Sequence, residues 1–378
     1  MAARQLPDGG LLPSLTSLRC LGMTIVFLAH GVILVRGTAL AGPWERVTGQ
    51  GAIALSFFFL LSGVVLVWVH RPGDGALGFY RRRVARIVPS YWTMSLIAIP
   101  VLWWIGALHA SEWKTVLVPL TGLQSWLPKS GYYYGGNGVS WSLSVEAFFY
   151  ALFPLIIVPL LALGQRRRLA LMVALIVAAV AIPIALHPAR ENEGIRFWLV
   201  YICPLTRLLE FGVGACIGAF LREGVRLRIR PGRISLVLLG AYLLAGWAPA
   251  YLGYVALTIV PLTAFTWALA EADLEGRTNR VLGHPTLVHL GQWSYAFYLI
   301  HALVIAVALY LVPVSGLGIA ARLAILAACF GTTLVLSGLL FRFVERPIER
   351  RVRRGGRRTQ RTVVRAERQP QRVGASAG

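Results

Sequence analysis

Ten apolar runs, each long enough to cross about 30 Å of hydrocarbon, leave this chain few folds to choose from. They fall at residues 15–35, 50–69, 90–108, 141–163, 169–187, 197–221, 234–249, 251–271, 288–312 and 318–343, the seventh being marginal in length. Lipid offers the backbone no hydrogen-bond partner, so such runs read as helices. Composition agrees: 57% of residues are hydrophobic and 14% charged, against about one half and one quarter in a soluble domain. The fold class is therefore all-α, a polytopic transmembrane helix bundle. Residues 1–14 form a short leading segment and 15–349 the membrane domain. Residues 350–378 form an Arg-, Gly- and Gln-rich tail with too few large apolar residues to fold.

The net charge of +22 invites a nucleic-acid reading, but its distribution argues against one. The basic residues sit between apolar runs and in the tail, and no polar folded domain carries them. With the N-terminus inside, 29 Lys and Arg face inward and 7 outward; without the tail the balance is 17 to 7. The asymmetry places both termini in the cytoplasm. The first run lacks a small-residue cleavage site and reads as a retained span. Cys203 and Cys216 share one expected helix and stand roughly 20 Å apart, too far to bridge. With Cys20 and Cys329 they read as small core residues. Pro100, Pro154, Pro183, Pro204 and Pro261 suggest kinks inside spans. The longest outer loop, 109–140, carries Tyr132, Tyr133, Tyr134, Gly135, Gly136, Asn137 and Gly138, a composition suited to a membrane interface or to sugar stacking.

A charge in hydrocarbon costs at least ~2.5–3.5 kcal/mol, so each ionisable residue inside a span needs a partner or a purpose. Arg19 and His30 are eleven residues apart, on one helix face and roughly 16 Å apart along its axis. His30 can serve as a base or simply bond a neighbouring helix. Ser142 and Glu146 share a face four residues apart, for proton handling or for packing. Arg83 and Arg86 lie in Phe79-Tyr80-Arg81-Arg82-Arg83-Val84-Ala85-Arg86, suited to phosphate or to fixing topology. Arg207 and Glu210, one turn apart, can neutralise each other. His301 follows Tyr298-Leu299-Ile300 as a packing group or a second polar residue in a cavity. Glu345-Arg346-Pro347 reads as a helix stop and ion-pair anchor. No ligand set with recognisable metal spacing is present.

Across roughly residues 14–349 these segments, with Phe57-Phe58-Phe59-Leu60-Leu61-Ser62-Gly63, Trp141-Ser142-Leu143-Ser144-Val145-Glu146 and Arg207-Leu208-Leu209-Glu210-Phe211, resemble the acyltransferase 3 family of membrane O-acyltransferases. The resemblance implies transfer of an acyl group, often acetyl, from acyl-CoA to a hydroxyl of a sugar, surface glycan or secondary metabolite. It implies His30 as the catalytic histidine, with Arg19 its paired arginine. It further implies Arg83 and Arg86 as donor-binding residues and Ser142 and Glu146 as the family's serine–glutamate segment. Glu146 is expected to orient or charge His30. Arg207, Glu210 and His301 are further candidate binding residues. Acyl-CoA enters as co-substrate with no resident cofactor, and the expected setting is the plasma or inner membrane. A transporter of a small anion or lipid-linked sugar is the alternative that buried charges alone leave open.

Overall fold

A computed structural model describes residues 12–70, 73, 75–109, 112–187 and 194–352. The leading eleven residues and the tail beyond 352 lie outside the described residues, so the expected tail disorder is not addressed. Among the described residues the chain is helical, and nine helices are long and apolar enough to span a membrane. They are Pro13–Val35, Ala41–Val69, Ala76–Trp104, Gly138–Ala162, Gln165–Leu186, Gly194–Arg222, Leu252–Leu274, Pro285–Leu311 and Ile319–Val352.

The tenth expected span is the shorter helix Pro231–Trp247. Seventeen residues rise about 25 Å, just short of the hydrocarbon thickness. Its contacts join the two ends of the bundle. Leu227, shortly before it, donates its amide to Glu271 at 2.8 Å. That end of the bundle also holds Ser14 bonded to Asp273, Arg222 bonded to the His70 carbonyl, and the Arg168–Glu223 ion pair at 2.6 Å. At the other end of the helix, the Tyr242 hydroxyl donates to the Val47 carbonyl at 2.7 Å. Val47 lies near the start of the second span, near the end where Arg322 reaches the Arg36 carbonyl. Counting this helix as a tenth crossing puts residue 14 and residue 352 at the same end, as the charge asymmetry requires.

Several expected boundaries move. The third span starts at Ala76 rather than 90, because the arginine-rich segment continues the same helix through Pro89 and Pro100. Pro204 and Pro261 stand at or near helix starts, following irregular turns at Trp198–Ile202 and Leu252–Ala256, rather than kinking continuous helices. Cys203 and Cys216 therefore do not share one regular helix, and all four cysteines are free. Glu345-Arg346-Pro347 does not stop the last span. A wide turn at Phe341–Glu345 absorbs the irregularity and helical structure runs on to residue 352.

The outer segment 112–140 is not a surface loop. Gln124, Ser125, Tyr133 and Ser140 are each at most 1% exposed. The Asn137 amide donates to the Leu299 carbonyl at 2.8 Å, halfway along the helix Pro285–Leu311. The Tyr91 hydroxyl, near the middle of its own helix, donates to the Pro119 carbonyl. The segment therefore dips into the bundle. Irregular backbone is tolerated at such depth where protein supplies its partners.

The second and sixth spans meet at backbone distance. A methyl group on Gly214 would stand 1.9 Å from the Leu60 carbonyl oxygen, and one on Gly63 would stand 2.1 Å from that of Phe211. Small residues allow this approach in a bundle whose exterior is as apolar as its interior. Gly214→Val is expected to lower stability by about 1–3 kcal/mol through overpacking, read as earlier thermal unfolding in detergent. Gly240→Val, on a face where nothing lies within 4 Å, should unfold near wild type. In a cysteine-free background, a cysteine at 226 should react with an impermeant maleimide only after cells are opened, and one at 250 in intact cells. Matching behaviour at the two positions would mean that Pro231–Trp247 does not cross.

Candidate active site

Five spans converge on an opening of about 870 Å³, its mouth included. Arg19 from the first span and Arg83 and Arg86 from the third line it, with Ser142 and Glu146 from the fourth. Ser62, Tyr150, Ser294, Tyr295 and Tyr298 complete its polar lining. Arg19 Nε donates to Ser294 Oγ at 3.1 Å. The Arg83 guanidinium stands 5.5 Å from the Phe79 ring centre and 5.7 Å from that of Tyr150. Cation–π contact of this kind holds an arginine without consuming its charge. Three arginines face one carboxylate across the space, so the opening is suited to an anion.

Glu146 is fixed by short-range helix geometry. Tyr150, four residues on, lies on the same face and donates its hydroxyl to the carboxylate. Ser62 Oγ donates from the second span at 2.9 Å. Glu146 is not bonded to His30, and the expected orienting contact between them is not formed. At the far end, Ser142 Oγ donates to the Tyr298 hydroxyl at 2.9 Å, which donates in turn to the Val139 carbonyl at 2.8 Å. The inward-dipping segment thus closes the opening at this end.

His30 and His301 lie one turn beyond Tyr298 and do not line the opening. They pair with each other. His301 Nε2 stands 2.9 Å from His30 Nδ1, and the rings stack with centres 5.0 Å apart. His301 is fully buried, whereas His30 keeps an exposed edge. The shared face of Arg19 and His30 is realised. Arg19 points into the opening, and His30 stands beyond its closed end.

Arg207 and Glu210 form a separate buried unit. They are bonded at 2.7 Å, with Ser56 Oγ donating to Glu210 at 2.8 Å. Arg207 Nε also donates to the Tyr201 carbonyl at 2.8 Å, beside the helix break at Cys203. This pair bridges spans and caps a broken turn, and it does not reach the opening. Among the described residues no group of three His, Cys, Asp or Glu could hold a metal ion.

Five polar residues of the opening escaped the sequence reading of the site. Ser62 and Tyr298 already stood inside quoted segments, and Tyr150 is one helical turn from Glu146. Their polarity within apolar runs was the available signal. Ser294 and Tyr295 carried no comparable mark.

Comparison with known proteins identifies the family. The acyltransferase 3 family model, described as an acyltransferase domain, matches residues 12–342. The acyltransferase MdmB of Streptomyces mycarofaciens is 35% identical over 366 residues, covering 90% of this chain and 92% of that protein. Nodulation protein 10 of Rhizobium leguminosarum bv. viciae is 26% identical over 71% of this chain and 76% of its own length. YrhL of Bacillus subtilis (strain 168), by its name a candidate peptidoglycan O-acetyltransferase, is 24% identical over 79% of this chain and 50% of its own length. No solved structure matches. With the family model spanning nearly the whole bundle, a relative 35% identical over 90% of the chain, and nine helices among the described residues long and apolar enough to span a membrane, the chain belongs to the acyltransferase 3 family and is a multi-pass membrane acyltransferase.

Proposed function

We propose that the chain moves a short acyl group, acetyl or similar, from cytoplasmic acyl-CoA to a hydroxyl of a sugar, surface glycan or secondary metabolite. Its setting is the plasma or inner membrane. The observation that carries this reading is the arginine-lined opening, which begins at Arg83 and Arg86 and ends against Ser142 and Tyr298, one turn short of His30 and His301. Arg83 and Arg86 lie toward the end of the bundle that the charge count places inside, where acyl-CoA is found. Their guanidinium groups suit the phosphates of the donor. Arg19 stands deeper, in line with His30 on the same helix.

The chemistry needs one base. His30 takes the proton from the acceptor hydroxyl as its oxygen attacks the thioester carbon. The C–S bond breaks, and the proton passes from His30 to the departing thiolate. A route through acyl-histidine uses the same residue as nucleophile. Glu146, held by Ser62 and Tyr150, balances the arginines within the opening.

Membranes supplied with labelled acetyl-CoA, and mass spectrometry of glycans and secreted metabolites with and without the gene, test the class of reaction. A mass difference of one acyl unit is expected; its absence, with no labelled product, removes the reading. Changing Arg83 and Arg86 together to Ala should raise KM for acyl-CoA while insertion stays normal; an unchanged KM would leave them as topology signals. His30→Gln should lower the rate by about 10²–10⁴-fold at normal protein abundance, because an amide cannot take the proton. Near-normal transfer would return His30 to packing.

A further inference from the structure

Resting on the reading of His30 as the base, we infer that His301 is a positioning residue: its contact with the Tyr298 carbonyl fixes His30 as the tautomer whose exposed Nε2 is the unprotonated, reactive nitrogen. The deduction runs through three atoms in series. His301 Nδ1 lies 2.7 Å from the Tyr298 carbonyl oxygen. A carbonyl oxygen only accepts, so this nitrogen carries a proton. The ring is fully buried, with Phe27, Phe297 and Tyr298 around it, and its bonded partners among the described residues are that carbonyl, the Phe297 backbone and His30. A second proton would place an uncompensated charge in this site, which burial strongly disfavours. His301 Nε2 is therefore a lone pair and an acceptor.

That assignment propagates. The 2.9 Å bond between the rings requires His30 Nδ1 to be the donor. A neutral imidazole holds one proton on its two nitrogens, so His30 Nε2 is left bare. The relation carbonyl–histidine–histidine does here, without a carboxylate, what a buried acid does for a catalytic histidine elsewhere. It holds the ring and chooses its tautomer. The arrangement also survives the reaction. When Nε2 takes the acceptor's proton, Nδ1 keeps its proton and its bond to His301, so no partner has to turn over. Helix geometry makes the device possible. Tyr298 and His301 are three residues apart, which brings the side chain of one onto the backbone of the other. The first and ninth spans pack closely enough at Gly291, where a methyl would stand 1.9 Å from the Thr16 carbonyl oxygen, to bring the two rings together.

Two variants separate this role from packing. Gln at 301 can offer an amide oxygen where Nε2 stood and so still accept from His30. Leu fills similar space and accepts nothing. His301→Leu should lower kcat by about 10- to 100-fold, the size typical when a partner that orients a histidine is lost, with KM for acyl-CoA unchanged; His301→Gln should retain most of the activity. The direct readout is ¹⁵N NMR of histidine-labelled full-length protein in nanodiscs at neutral pH, with the His30 signals identified by their loss in His30→Gln. Wild type should show His30 with Nδ1 protonated and Nε2 bare. In His301→Leu the population should move toward the tautomer protonated at Nε2. A wild-type spectrum with His30 protonated at Nε2 overturns the inference, and so does a Leu variant with unchanged tautomer and kcat. Should the Leu variant fail to fold, the wild-type spectrum and the activity of His301→Gln still decide. If His30→Gln transfers acyl groups normally, the reading of His30 as the base falls instead, whatever the tautomer.

Discussion

Hydrocarbon supplies no hydrogen-bond partner, and almost every polar contact in this bundle answers that constraint. Arg207 neutralises Glu210 and caps the Tyr201 carbonyl. Arg168 is 0% exposed and meets Glu223 at the end of the bundle that also holds Ser14 and Asp273. Asn137 is 5% exposed and spends its amide on the Leu299 carbonyl. Each solution ties two spans, or a span and the inward-dipping segment, at a fixed register. Stability and site geometry therefore share the same bonds. The bundle cannot slide at Leu299 without losing the closure that Val139, Ser142 and Tyr298 make across the opening.

Apolar packing alone would not hold that register. The close contacts of the second and sixth spans depend on glycine at 63, 214 and 218, and lipid is as apolar as the side chains it meets. Backbone proximity adds dispersion contacts, which are individually weak. Glu146 is supported from both sides of this arrangement. The second span contributes Ser62, directly before Gly63, and the fourth contributes Tyr150.

Much of this was legible in the sequence, because local periodicity and charge counting report quantities that tertiary structure cannot easily override. Spans survive as spans, and the Arg207–Glu210 pair at i,i+3 forms as its spacing implies. The marginal run at 234–249 forms a helix, Pro231–Trp247, too short to count among the nine spans, yet its contacts join the two ends of the bundle. What stayed hidden depended on partners distant in sequence. Nothing local marks His301 as the companion of His30, 271 positions away. The burial of 112–140 was also invisible. Its glycines and tyrosines read equally well as interface, and the deciding bond joins Asn137 to another span. Glu345-Arg346-Pro347 misled for a different reason. Proline at the first turn of a helix is harmless, and the wide turn before it lets the helix restart.

The opening itself is left electrostatically incomplete. Arg19, Arg83 and Arg86 line the opening with one carboxylate, Glu146, which already accepts from Ser62 and Tyr150, while Glu345 acts on Arg19 and Arg86 from beside it. The excess of guanidinium groups coincides with this polar space. A bundle that merely needed topogenic charge could leave Arg83 at the surface, as Arg81 is left. Turning Arg83 inward between Phe79 and Tyr150 exposes unmet donors to whatever enters. On the function proposed above, the anionic donor completes the site by supplying what the protein withholds, and its binding energy is then available for moving the attached acyl chain past Tyr298 toward the histidine pair.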